Sequence, residues 1–147
     1  MQMVIDGCIV MLDVDFMEEM VREKGLPEYK PNLATGFLTR AVESLAIKHN
    51  GVVIFGLDYE RGTEEAVLEF PLTSCDELRK DLDQIHNELA RMGFSISIVC
   101  LDGYVLGKKA NTREEAYKGT PWRKKAYKEL LRIKRKLHAF REENSPN

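Results

Sequence analysis

Two aspartates, Asp13 and Asp15, close an apolar run over residues 4–14. Val4, Ile5, Ile9, Val10, Met11, Leu12 and Val14 make this run read as a strand. Side chains two apart on a strand share one side, so both carboxylates are expected on the same side of its end. Asp58 and Glu60 lie near the end of a second apolar stretch, residues 52–57. With both strands in one sheet, Asp13, Asp15 and Asp58 are expected to converge. Clustered carboxylate oxygens are hard donors of the kind that Mg²⁺ takes when it carries phosphoryl or nucleotidyl transfer. The competing reading is structural: Asp13 and Asp15 end the strand and cap the helix behind it, where negative charge favours the helix dipole.

A second chemistry lies in the C-terminal quarter. Lys108 to Glu143 holds 13 Lys/Arg against 5 Asp/Glu, a net charge of +8, while the remainder holds 9 against 19, a net charge of −10. Such asymmetry points to nucleic-acid contact or an acidic partner. The contact face would be carried by residues 123–141, with Arg123, Lys124, Lys128, Arg132, Arg135 and Lys136 at its centre and Lys125, Lys134 and Arg141 beside them. The competing reading is a solvated helix face that complements the chain's own acidic body.

Cys8, Cys75 and Cys100 are odd in number, widely spaced and without a CxxC pair or a nearby histidine. They are expected as three free thiols of a reducing cytoplasm, with Cys75 placed to be reactive at a helix N-terminus. His49, His86 and His138 have no partner at ligand spacing and read as surface or helix-edge histidines. GxSxG, Walker, GxGxxG and HExxH motifs are absent.

The elements that must position these groups are legible in the periodicity. A length of 147 residues fits one domain, and 44% hydrophobic content is that of a globular chain. The 31% charged fraction and only two glutamines resemble thermophile usage. No apolar run approaches the roughly 20 residues of a membrane span. Asp6 and Asp13 bracket the first run, so it reads as a strand and not as a signal peptide. A cytoplasmic chain without membrane contact is expected.

The first run is apolar in both alternation classes, as in a central strand covered on both faces. A short helix over 16–24 and a loop with two prolines follow. Asn32 caps a helix carrying Phe37, Leu38, Ala41, Val42, Leu45 and Ala46. Strands over 52–57 and 65–70 form an antiparallel hairpin. Ser74 and Glu77 form a capping box before Leu78, Leu82, Ile85, Leu89 and Met92. A fourth strand runs from Phe94 to Cys100, and Asp102-Gly103 is expected to turn it into a short strand around Tyr104 to Leu106. This order is that of an α+β, ferredoxin-like split βαβ sheet, βαββαβ.

The core is expected over 1–107, a basic helical extension over 108–143 and a frayed tail over 144–147. Thr112 with Glu115, and Thr120 before Pro121, start the two helices of the extension. The longer helix repeats Trp122, Ala126, Leu130, Ile133, Leu137 and Phe140 at four- and three-residue steps. That stripe must cover the open sheet face or pack on a second copy in a homodimer. An RNA-recognition sheet is excluded, because Glu65 and Glu69 on the third strand would repel phosphates.

The stretch Met11-Leu12-Asp13-Val14-Asp15-Phe16 resembles the first motif of palm-type nucleotidyl cyclases and polymerases. The resemblance implies a ferredoxin-like core in which Asp13 and Asp15 hold metal ions. It covers about six residues and the strand order. The stretch Phe55 to Gly62 departs from it, because the second acidic motif of those families, such as Gly-Gly-Asp-Glu-Phe, is replaced by Asp58-Tyr59-Glu60. The leading expectation is therefore a small binding or association module using its basic C-terminal helix. The alternative is a Mg²⁺-dependent nucleotide-binding or transfer enzyme using Asp13 and Asp15.

Overall fold

The alternation along the first strand sets the architecture. In a computed structural model describing residues 3–27 and 30–144, β1 (Ile5–Val14) sends Cys8, Val10, Leu12 and Val14 to one face and Ile9 and Met11 to the other. All six are buried, so β1 is covered on both sides. It pairs antiparallel with β3 (Glu65–Pro71) and β4 (Ile96–Val105), and β3 pairs antiparallel with β2 (Val52–Phe55). The sheet order is β2-β3-β1-β4. With α2 (Leu33–Lys48) and α3 (Cys75–Arg91) as the crossovers, this is the ferredoxin-like α+β arrangement. A short helix, α1 (Met17–Lys24), follows β1.

The helix face of the sheet buries Val10, Leu12, Ala66, Leu68, Phe70 and Ile96 against Leu38, Val42, Leu45, Leu78, Ile85 and Leu89. Local chemistry starts these helices where the sequence signals them. The Asn32 side chain accepts from Thr35 N at 2.9 Å, and Thr35 Oγ1 accepts from Asn32 N at 2.9 Å. The Glu77 carboxylate accepts from Ser74 N at 3.0 Å.

The second face is covered by the chain itself. After α4 (Arg113–Lys118), the long helix α5 (Pro121–Glu143) lies across β1 and β4. Its Ala126 and Leu130 are buried with Ile9, Met11, Ile54, Val67, Val99 and Val105, and Trp122, Tyr127 and Ile133 pack on the edge of that cluster. Thr120 accepts from Arg123 N at 3.0 Å and Pro121 occupies the first turn, so the helix begins at the expected residue. Phe140, the last residue of the stripe, is exposed. Among the described residues, no helix is long and apolar enough to cross a membrane. Residues 145–147 of the expected tail, and residues 28 and 29 of the proline loop, lie outside the described residues.

Two expectations are corrected. Asp102-Gly103 does not turn the chain. Strand β4 runs unbroken, with Asp102 opposite Cys8 and Gly103 opposite Gly7. Asp102 instead accepts from Cys75 N at 2.8 Å, and a side chain at Gly103 would run into the Trp122 ring. The pair therefore serves helix docking on both faces of the sheet. The three cysteines are not all free: Cys75 and Cys100 form a disulfide and only Cys8 keeps a thiol. The ferredoxin-like register brings the start of α3 beside β4, with the two Cα atoms 5.8 Å apart, inside the bonding range.

Candidate functional site

The end of β1 does bring Asp13 and Asp15 to one side, and that side faces α5. Between them stands Lys134. Its Nζ donates to Asp15 Oδ1 at 2.7 Å and to Asp13 Oδ1 at 3.0 Å, with the carbonyl oxygens of Asp13 and Val14 at 3.4 and 3.5 Å. Asp15 is 2% exposed, and its carboxylate also accepts from Ser97 Oγ at 2.7 Å and Ser95 Oγ at 2.6 Å. Both serines come from the start of β4 and its approach. Burial raises the Asp13 carboxyl above its ordinary pKa. Lys134 opposes that rise, and Glu65 and Asp15 add to it.

Acidic groups extend from this point onto the neighbouring strand β3. Glu65 lies opposite Asp13 and is held by Arg113 Nε at 2.8 Å. Burial first, then Glu65 and Asp13, raises Glu64. Burial, with the same carboxylates adding to it, pushes the phenol of Tyr117, 1% exposed, above the ordinary tyrosine range. Asp58 is not drawn in. Its Oδ1 accepts from Glu60 N at 3.0 Å and Arg61 N at 2.9 Å, closing its own turn.

The donor set as it stands does not fit a divalent ion. Two carboxylates and two main-chain carbonyls point at one place, which is how oxygen donors surround a hard cation. That place holds an ammonium group belonging to the chain. The remaining oxygen of Asp15 is taken by Ser95, and Asp58 is occupied in its turn. The Mg²⁺ site expected at Asp13, Asp15 and Asp58 is therefore replaced by an internal ion-pair network.

A second ionic group joins the extension to the sheet. Glu69, on β3, is fully buried on the α5 side. Arg123 donates Nε to Glu69 Oε2 at 2.9 Å and NH2 to Oε1 at 3.1 Å, a two-pronged pair. Leu106 N and Gly107 N donate to the same carboxylate, and Arg123 also reaches the carbonyls of Glu115 and Lys108. Arg123 is 1% exposed. It is thus withdrawn from the nucleic-acid face on which the sequence placed it.

The rest of that face behaves differently. Lys124, Lys125, Lys128, Arg132, Arg135 and Lys136 are exposed. Arg132 pairs with Glu129 within the helix. Among the described residues, Lys124, Lys125, Lys128 and Arg135 have no ion-pair partner. A shallow groove there is lined by Lys118, Lys124, Lys125 and Lys128, with Tyr127 and Leu131.

The internal roles of Arg123 and Lys134, which sequence reasoning missed, share one signal. Arg123, Ala126, Leu130 and Lys134 recur at three- and four-residue steps, so two of the nine basic residues lie in the apolar stripe itself. Helix phase, and not local charge, separates internal cations from external ones.

Neither a protein-family model nor a curated protein matches the chain. Among solved structures, it is similar to the diguanylate cyclase SiaD in complex with its activator SiaC from Pseudomonas aeruginosa, with a TM-score of 0.47 and 18% identity. The match covers 87% of this chain and 47% of that one, so the chain spans about half the length of the cyclase structure.

Proposed function

We propose that the chain is a binding module that holds nucleic acid on the exposed basic face of α5. The observation that supports this reading is how α5 divides its residues. Its apolar stripe is spent on the chain's own sheet, and Arg123 and Lys134 are spent on internal carboxylates. What remains outward is a row of cations, Lys124, Lys125, Lys128 and Arg135, without ion-pair partners among the described residues. Lys124 and Arg135 stand eleven residues apart, about 16 Å along the helix. A stripe of that length matches a charged polymer better than a small ligand.

The measurement is fluorescence anisotropy of a labelled single-stranded oligonucleotide against salt. Four neutralised phosphates predict a slope of about −3 in log K against log salt, from roughly −0.7 per phosphate on single strands. Replacing Lys124, Lys128 and Arg135 by Glu should abolish binding while leaving the thermal midpoint nearly unchanged, because none of the three touches the core. Absent binding, or binding indifferent to salt, would remove this reading.

A further inference from the structure

Three sulfurs from three elements meet on the helix side of the sheet. Cys8 comes from β1, Cys100 from β4, and Cys75 is the first residue of α3. Their Sγ atoms all lie within 4.8 Å of one another. Among the described residues, no imidazole or carboxylate joins this group as a fourth donor. Cys75 and Cys100 line a groove of about 570 Å³ between α3, β4 and α5, so the bonded pair is reachable from solvent. Cys8 lies behind them and is fully buried.

The surroundings select the charge of any guest. Asp102 lies opposite Cys8 in the sheet and accepts from Cys75 N at 2.8 Å, and Glu77 accepts from Ser74 N one residue before Cys75. Beside Asp102 and Glu77, additional negative charge is unfavourable at Cys8, the deepest of the three sulfurs. Three thiolates around a divalent ion leave a net −1, whereas three around a trivalent centre leave none. Sulfur donors prefer soft centres. A three-sulfur set without a fourth ligand suits a centre that is content with three bonds.

We infer that the reduced chain takes a trivalent, thiol-seeking centre of the arsenic(III) type at Cys8, Cys75 and Cys100. Two steps are needed, and both balance. A dithiol reductant opens the Cys75–Cys100 bond, becoming a disulfide itself while each cysteine gains a hydrogen. Arsenous acid, As(OH)₃, then exchanges its three hydroxyls for three sulfurs. Each hydroxyl leaves as water with one thiol proton, and no electrons move. Three sulfurs bound to one centre at about 2.3 Å lie about 4.0 Å apart or less. Opening the disulfide frees the Cys75 and Cys100 side chains to rotate toward that limit from a set now within 4.8 Å.

The test is native mass spectrometry of the full chain, reduced with a phosphine and then freed of it without oxygen, titrated with arsenite. The expected product is a single 1:1 adduct heavier by one arsenic and lighter by three hydrogens. Cys8→Ala should lose that species and bind arsenite more weakly by more than the roughly tenfold that loss of a supporting hydrogen bond costs a metal site. Cys75→Ser, altering the accessible member, should do the same and covers the case in which the core variant does not fold. Cadmium(II) should bind the reduced wild type less tightly than arsenite. An adduct displacing only two hydrogens, no adduct, tighter binding of cadmium, or arsenite affinity unchanged in a folded variant would each overturn the inference.

Discussion

Lys134 of α5 and Asp15 at the end of β1 form a 2.7 Å ion pair in which the carboxylate is 2% exposed and the ammonium also reaches Asp13. One flexible side chain from residue 134 thereby pairs with two acids lying 119 and 121 residues earlier.

Lys134→Met should therefore leave two neighbouring carboxylates without their cation. Breaking a largely buried pair from one side costs about 3–5 kcal/mol when burial is complete, and Lys134 retains some exposure, so a loss of about 2–3 kcal/mol is expected in denaturant unfolding. The Asp13 carboxyl, already raised by burial, should rise further without the cation that opposes the rise. Mn²⁺ should raise the melting temperature of Lys134→Met and leave that of the wild type unchanged, because only the variant offers an uncompensated oxygen cage. Equal responses of the two proteins would show that Lys134 does not fill the place of an ion.

Arg123→Met should be the most destabilising single change in the extension. It leaves the fully buried Glu69 with two backbone donors and no cation, at a cost of about 3–5 kcal/mol. Adding Glu69→Leu should recover a large part of that loss, since a buried apolar pair is often as stable as a buried ion pair. Chemical denaturation of the two variants provides the comparison.

Asp81 links the two crossover helices and makes stability depend on acid. Its carboxylate lies 2.7 Å from His49 Nε2 and 3.1 Å from Lys48 Nζ. The hydrogen bond from His49, aided by Lys48, holds the carboxyl below its ordinary range against the opposing effect of burial. A lowered acid contributes stability above its unfolded pKa of about 3.9, and that contribution disappears as pH falls through the folded value. Asp81→Asn should cost about 1 kcal/mol at neutral pH, and its difference from wild type should close below about pH 4. Unfolding curves at a series of pH values would reveal a persistent gap if the pairing were irrelevant.

Opening the Cys75–Cys100 bond should lower stability by about 3 kcal/mol, the loop-closure effect expected for a separation of 25 residues. A Cys75→Ser variant should match the reduced wild type in melting temperature. In the reduced protein under native conditions, iodoacetamide should modify Cys75 and Cys100 but spare Cys8, which is buried and whose thiol is pushed up to about 12 by that burial and by Asp102 and Glu77.

Much of the fold was legible because its signals are local. The two-face apolar pattern of Val10 to Val14 announced a central strand. Asn32, Ser74 and Thr120 announced their helices, and the stripe from Trp122 to Ile133 announced something to cover. The errors arose where a local signal has two outlets. Asp-Gly is a favoured turn pair, but here Asp102 binds the start of α3 and Gly103 makes room for Trp122. The cysteine pairing depends on how α3 sits against β4, which spacing alone does not encode. Asp13 and Asp15 were rightly placed on one side, yet their partner is Lys134, indistinguishable in a basic run until the helix is phased against Ala126 and Leu130.

The two internal cations of α5 stand eleven residues apart, about 16 Å along the helix, and each is seated on a different carboxylate group of the sheet. An apolar stripe by itself tolerates sliding, because one turn of leucine and alanine resembles the next. Arg123 and Lys134 do not tolerate it: a slip of one turn would strand Glu69, Asp13 and Asp15 together with both cations. They act as two rivets through one bar. The outward lysines and Arg135 are consequently held at set intervals relative to the sheet, as marks on a ruler whose zero is fixed.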